Sequence, residues 1–138
     1  MTALLSVPIT APVTAVVGPT LEFRATLILP LSVLIQGKFI YGSGGTTVSA
    51  WVQTSADGGS TWTDVANFSY TTLSARSLYN LSALTVGTTA YVPTDGTLAA
   101  NTSKDGVVGS LWRVKYTTTG TYVGTTLEVD IGATGLTQ

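Results

Sequence analysis

Apolar and polar residues alternate with a period of two along most of the chain, and no stretch sustains a 3.6-residue apolar period, so the pattern predicts strands throughout. Leu21, Phe23, Ala25, Leu27 and Leu29 share one face while Glu22, Arg24 and Thr26 take the other, which describes a half-buried strand. Pro30 has no N–H for a ladder, so it marks an edge position, a bulge or a switch between sheets before the next strand, Leu31 to Tyr41. Gly42 to Gly45 reads as a loop. Val48 to Thr54 and Trp62 to Tyr70 are two further strands, and the Asp57-Gly58-Gly59 core of the segment between them is a strong hairpin signal. In Ala75 to Leu84 a strand is favoured over a short helix, because Arg76, Leu78, Asn80 and Ser82 alternate with Ser77, Tyr79, Leu81 and Ala83. Thr85 to Lys104 carries turn chemistry, including Pro93-Thr94-Asp95-Gly96, with room for one short strand at Ala90 to Val92. Trp112, Val114 and Tyr116 alternate with Arg113 and Lys115, and Leu127, Val129 and Ile131 alternate with Glu128 and Asp130. Paired as a hairpin, these segments would set two cations against two anions, each pair worth roughly 0.2 to 1 kcal/mol.

The expected architecture is therefore all-β, a single sandwich or jelly roll of about seven to nine antiparallel strands. A length of 138 residues suits one domain. That domain is expected over residues 21–138, preceded by an apolar N-terminal arm over residues 1–20 that Pro8, Pro12 and Pro19 punctuate. Leu4, Leu5, Val7, Ile9, Val13, Val16 and Val17 need cover from somewhere, which makes Leu4, Leu5, Val7 and Ile9 candidate partner contacts. The most apolar run, Ala25 to Ile35, contains Pro30 and falls short of the roughly 18 to 20 residues needed to cross a bilayer. It reads as buried strand. No basic residue precedes Arg24, which argues against a secretory signal.

Charged residues make up 9% of the chain, against roughly 25% in an average soluble protein. Thr, Ser and Gly stand in their place, and β-branched Thr covers the wet face of a strand without long flexible side chains. A net charge of −1 with scattered cations offers no basic stripe for nucleic acid. With no Cys there are neither disulfides nor thiolate metal sites, and with no His the Ser-His-Asp and Cys-His arrangements and the usual zinc sites are excluded. No cofactor is expected.

Two carboxylates alone could still hydrolyse a glycoside if they flanked a cleft. Glu128 with Asp130 alternates with core residues and has Arg113 and Lys115 as expected partners, and Asp57, of the pair Asp57 and Asp64, is committed to a turn. Neither pair therefore points to an enzyme. Gly42-Ser43-Gly44-Gly45 and Asp57-Gly58-Gly59 lack the Lys and the following helix of a phosphate loop and read as turns. Asn67-Phe68-Ser69, Asn80-Leu81-Ser82 and Asn101-Thr102-Ser103 have the form of glycosylation acceptors, which a Ser/Thr-rich chain produces by chance. Trp51 falls on the polar face with Ser49 and Gln53. It is a partner anchor, or a residue of a central strand with both faces covered, or an aromatic packed across the hairpin on Trp62 or Val65.

The segment Ser55-Ala56-Asp57-Gly58-Gly59-Ser60-Thr61-Trp62 resembles the Asp box of sialidase-like propellers. The physical reading stands beside the name: Asp57 accepts from turn amides, Gly58 and Gly59 take positive φ, and Trp62 folds back over the turn that Ser55 opens. The resemblance implies a structural turn away from any active site, with a calcium or glycan contact at Asp57 as the alternative. A propeller needs several blades, and one box does not make them. Over a longer stretch, AWVQTSADGGSTWTDVANFSYTT, ARSLYNLSAL and LWRVKYTTTGTYVGTTLEVDIGA resemble the small β-rich structural proteins of tailed bacteriophage particles. That resemblance implies a virion protein of the capsid-decoration or head-associated type, a homo-oligomer with a trimer favoured, bound to the major capsid or other virion proteins, with neither nucleic acid nor membrane as partner. A neck or tail component, or a carbohydrate-binding module that stacks sugars on Trp51, Trp62, Tyr41 or Tyr70, is the alternative.

Overall fold

The N-terminal segment breaks at residues 10–12, where Pro12 stands, into two extended pieces, the first of which contains Pro8, and each piece finishes in a different sheet. The structure, a computed structural model, describes residues 1–23 and 28–137. Its strands are β1 (Thr2–Ile9), β2 (Val13–Val17), β3 (Leu21–Glu22), β4 (Ile28–Ile40), β5 (Ser43–Gly44), β6 (Thr47–Ser55), β7 (Thr63–Tyr70), β8 (Ala75–Ser82), β9 (Leu111–Thr119), β10 (Tyr122–Val123) and β11 (Thr125–Thr137). All pairings are antiparallel. One sheet runs β1-β11-β4-β8, the other β2-β9-β6-β7 with β3 also on β9, and β5 pairs with β10 in a short ribbon. The fold is an all-β sandwich, as the alternation predicts.

Each inner face is built from every second residue of its strands. Val33, Ile35 and Phe39 of β4 and Leu127, Val129 and Ile131 of β11 meet Val48, Ala50 and Val52 of β6, Phe68 of β7 and Trp112 and Val114 of β9, all buried. Burying one such side chain contributes on the order of 1.5 to 3 kcal/mol, and interdigitation of the two inner faces fixes the layer spacing. Gly37 interrupts the inward row of β4 for a steric reason. A Cβ there would lie 2.5 Å from the Tyr70 hydroxyl and 2.9 Å from Phe68, so its absence lets the aromatic row of β7 close on the opposite sheet. Phe39 stacks on Tyr70 at 5.0 Å and Phe68 packs on Tyr79 at 5.0 Å.

The expected N-terminal arm is instead part of the sandwich. β1 pairs along β11 and β2 along β9, so the boundary drawn at residue 20 does not separate an arm from a domain. Leu4, Leu5 and Ile9 are buried in the chain's own core, with Val7 packed partly against it. The cover these side chains need comes from within the chain.

The largest departure from the expected pairing concerns β9 and β11. They do not form a hairpin: β9 lies between β2 and β6, and β11 lies between β1 and β4 in the other sheet. The chain crosses between layers at Gly120–Gly124, where Gly120 has φ +82° and Gly124 φ +61°. Arg113 and Lys115 therefore never face Glu128 and Asp130. Alternation identifies which residues point inward but carries no information about which neighbouring strand supplies the ladder.

Smaller differences follow the same logic. Ser43–Gly44, inside the expected loop at Gly42 to Gly45, pairs with Tyr122–Val123. Ala90 to Val92 is not a strand, and the connection between β8 and β9 runs beside β7 through the isolated bridge of Ser103 to Ala66 and backbone hydrogen bonds from Asp64 N–H to Thr94 O and from Asn67 N–H to Thr102 O, both at 2.9 Å. Pro30 sits where the register of β4 against β11 shifts, opposite Gly135, which is the bulge position its missing N–H calls for. Of the strand read from Leu21 to Leu29, Leu21–Glu22 pairs with β9 and Phe23 packs edge-on to Trp112 at 6.3 Å. Residues 24–27 lie outside the described residues.

Candidate interaction surfaces

The turn between β6 and β7 forms as its residues dictate. The Ser55 hydroxyl donates to Asp57 Oδ1 at 2.8 Å and accepts from Gly59 N–H at 2.9 Å, while Thr61 N–H donates to Asp57 Oδ1 at 2.9 Å. Gly58 and Gly59 take φ +73° and +93°, the left-handed region that favours glycine. The Thr61 and Ser55 hydroxyls and the Thr61 amide all donate to the carboxylate and hold the Asp57 pKa down at about 2. Trp62 folds back, its Nε1–H donating to Gly59 O at 3.1 Å, and the Arg113 guanidinium lies 4.2 Å from its ring centroid. Ser55, Asp57, Gly58, Gly59 and Trp62 thus act together as a brace.

Beyond the turn, the outer face of the β6, β7 and β9 strands is covered by the long connection between β8 and β9. Asp64 is fully buried. Its carboxylate accepts from the backbone N–H groups of Gly96, Thr97 and Leu98 at 2.8 to 3.1 Å, from the Thr94 hydroxyl at 2.8 Å and from Gln53 Nε2 at 2.9 Å. Asn67, also buried, accepts from Asn101 N–H at 3.0 Å and from the Ser69 hydroxyl at 2.8 Å. Asn101 holds a left-handed φ of 55° and accepts from Ser69 N–H. Lys115 pairs with Asp95 at 2.6 Å, and the Lys115 and Gln53 hydrogen bonds hold the Asp95 carboxyl below its ordinary value.

The pattern in the sequence did not single out Asp64 and Asn67 for this role. A signal was available: Asp and Asn are disfavoured inside strands, yet both stand in the middle of TWTDVANFSY. Such residues at buried strand positions must receive donors from elsewhere. Asn67 is buried and so is closed to glycosylation.

Trp51 lies under the same cover. It is partly buried and donates from Nε1 to Leu98 O at 2.9 Å, so both faces of this central strand are covered. The four aromatics of a possible stacking platform are dispersed: Tyr70 is in the core, Tyr41 packs near Phe39 and Tyr122, Trp51 is under the loop, and Trp62 alone lines a groove. That groove, of about 520 Å³, runs between the turn and the covering loop and is lined by Trp62, Tyr91, Pro93, Val107 and Val108 with Thr54 and Thr63.

At one end of the sandwich, three loops gather over an aromatic cluster. Tyr122 packs edge-on to Phe39 at 5.9 Å and to Tyr41 at 6.1 Å, and its hydroxyl donates to Thr71 O at 2.7 Å. Tyr41 N–H donates to the Ser74 hydroxyl. On this braced base, Leu73 is 75% exposed, Val123 62% and Ile40 60%.

The outer face of the β1-β11-β4-β8 sheet has no such cover among the described residues. Glu128 and Asp130, expected opposite Arg113 and Lys115, meet β4 instead: Lys38 Nζ lies 3.8 Å from Asp130, Gln36 Nε2 donates to Asp130 at 3.3 Å, and Arg76 Nε donates to Gln36 at 2.6 Å. Asp130, hydrogen-bonded to Glu128 and of like charge, pushes the Glu128 carboxyl up from its ordinary value, with Lys38 acting the other way. No group of three or more metal-ligating side chains is found among the described residues. Comparison of the chain with protein-family models, with curated proteins and with solved structures gives no match.

Proposed function

We propose that this protein is a non-catalytic structural component of a phage particle, a capsid-decoration or head-associated protein that covers or stabilises the capsid as a homo-oligomer. The resemblance of its β6–β11 segments to such proteins motivates the reading, and one observation supports it above the others. The end of the sandwich presents Leu73 on the β7–β8 connection, Ile40 at the end of β4 and Val123 in the β5–β10 ribbon, beside an aromatic cluster that holds these segments in place. Apolar side chains preorganised on a rigid base suit docking against a neighbouring subunit, because little ordering entropy remains to be lost on contact. A surface poor in charge favours a permanent place in an assembly over a freely diffusing life.

The N-terminal segment does not supply the attachment in this reading, since β1 and β2 are committed to the sheets. Deleting it would unfold the protein and would not test binding. The test is co-sedimentation of the purified protein with phage heads that lack it, together with mass spectrometry of intact particles. Binding that is lost in the Leu73→Asp, Val123→Asp double variant, with an unchanged circular dichroism spectrum, is expected. Absence from particles, together with no binding to heads, would defeat the proposal.

A second reading, sugar binding, has support from the groove beside Trp62 and Tyr91, whose volume and aromatic lining suit a small neutral ligand. It predicts glycan-array binding that Val108→Trp abolishes by filling the groove. An array without signal would remove it.

A further inference from the structure

The outer face of the β1-β11-β4-β8 sheet, which no loop covers among the described residues, is uneven in a systematic way, with Gln36 and Asp130 sunk among their neighbours at 7% and 6% exposure. Its outward residues fall in cross-strand rows: Ala3, Asp130, Gln36 and Leu78 in one, and Ser6, Glu128, Lys38 and Arg76 in the next. Along the two central strands, Gly132, Asp130, Glu128 and Thr126 of β11 stand beside Leu34, Gln36, Lys38 and Ile40 of β4. The β4 and β8 half is therefore tall, cationic and apolar. Leu34 is 42% exposed and Leu78 47%. The β1 and β11 half is low and anionic.

We propose that this face pairs with the same face of a second copy of the chain, about a two-fold axis that runs parallel to the strands between β11 and β4. That rotation preserves height along the strands and exchanges the two halves. It sets Lys38 over Glu128, Gln36 over Asp130, Leu34 over Gly132 and Ile40 over Thr126, each contact made twice, with Leu78 over Ala3 and Arg76 over Ser6 at the margins. Large side chains meet small ones and cations meet anions, which is the self-complementarity an isologous interface demands. The other in-plane two-fold, perpendicular to the strands, would lay β11 on β11 and set Glu128 against Asp130, and the repulsion of like charges selects against it.

The charges within one copy are left unbalanced in the direction this pairing corrects. Among the described residues Lys38 bridges to Asp130 and no salt bridge reaches Glu128, so a second Lys38 would meet the carboxylate that lacks one. Stacked sheets cross at about 30°, which leaves the central Lys38–Glu128 and Gln36–Asp130 contacts in register and opens the ends. The face is about 19 Å wide at ~4.8 Å per strand, at the small end of specific interfaces, so association is expected to be reversible and concentration-dependent. The inference does not depend on the particle reading.

The test is sedimentation equilibrium of the full chain at low ionic strength, from about 1 μM to about 1 mM. A monomer–dimer equilibrium is expected. Lys38→Glu places Glu over Glu128 and Glu128→Lys places Lys over Lys38, so each variant alone should associate at least about 100-fold more weakly. Mixed in equal amounts, the two variants should form a heterodimer with wild-type affinity, because both central contacts become complementary again. Recovery on mixing also shows that neither variant failed to fold. A wild-type monomer over the whole range, a trimer, or a mixture that stays monomeric would each overturn the proposal.

Discussion

The two outer faces of this sandwich begin from the same strand alternation and end as opposites. On the β6, β7 and β9 strands the outward polar residues Gln53, Asp64 and Asn67 are buried, and they bind the loop that covers them. On the β1-β11-β4-β8 sheet Gln36 and Asp130 are buried as well, but by side chains of the same face: they bind each other, Lys38 and Arg76, and no loop covers them among the described residues. The difference lies in the donors within reach. A buried carboxylate anchors a loop when backbone N–H groups converge on it, whereas Asp130, buried among side chains of its own face, recruits no loop and leaves its half-exposed neighbours Lys38 and Glu128 available to a partner.

The largest expected effect is on the covered face. Asp64→Ala leaves the amides of Gly96, Thr97 and Leu98 without their acceptor and should cost roughly 3 to 5 kcal/mol. Urea unfolding would measure the loss, and hydrogen exchange should show the 94–98 amides opening first. Continued protection of those amides would mean that the loop holds itself. Asn67→Ala removes the acceptor of Asn101 N–H and of the Ser69 hydroxyl, for an expected loss of about 1 to 3 kcal/mol by the same measurement.

Acid should separate the faces by sign. The folded-state values of Asp57 and Asp95 are depressed, so the stability they contribute is present above their unfolded value of 3.8 and falls away below it. For Asp57 the loss runs down to about pH 2. Glu128 is raised, so its charge disfavours the fold at neutral pH and protonation relieves it as the pH falls through its folded value. A stability profile from pH 7 to pH 2 should therefore lose part of its acid limb in Asp57→Asn, whereas Glu128→Gln should be more stable than wild type near neutrality. The smallest effect is expected on the open face. Leu78→Thr should change the stability of the dilute monomer by no more than about 0.5 kcal/mol, and a larger loss in thermal melts would show that this face is packed in the single chain.

Where the sequence was legible, the reason was local. The turn at Ser55 to Trp62 could be read because each hydrogen bond in it spans at most four residues. The strands Thr47–Ser55, Thr63–Tyr70 and Ala75–Ser82 lie within one or two residues of their expected ends, because Val48, Ala50, Val52 and Leu81 had to be buried wherever their strands ended up. Where the reading failed, the deciding partner was remote. Leu4 and Leu5 read as surface for a partner until pairing with β11, from the far end of the chain, places them in the core. Tyr91 looked like part of a strand but instead donates its hydroxyl hydrogen to Asp64 O across the covering loop.

The amino-acid order by itself determined the fold class, the inward faces and the chemistry that is missing, because period-two burial and the absence of His and Cys are properties of single residues and their immediate neighbours. Only the tertiary structure decided which strands pair. It placed Arg113 and Lys115 in one sheet and Glu128 and Asp130 in the other, made a brace of Asp64, and left Glu128 beside Lys38 on an open face. Pairing and exposure are settled by contacts between distant parts of the chain, and a strand carries the same alternation whichever neighbour it joins.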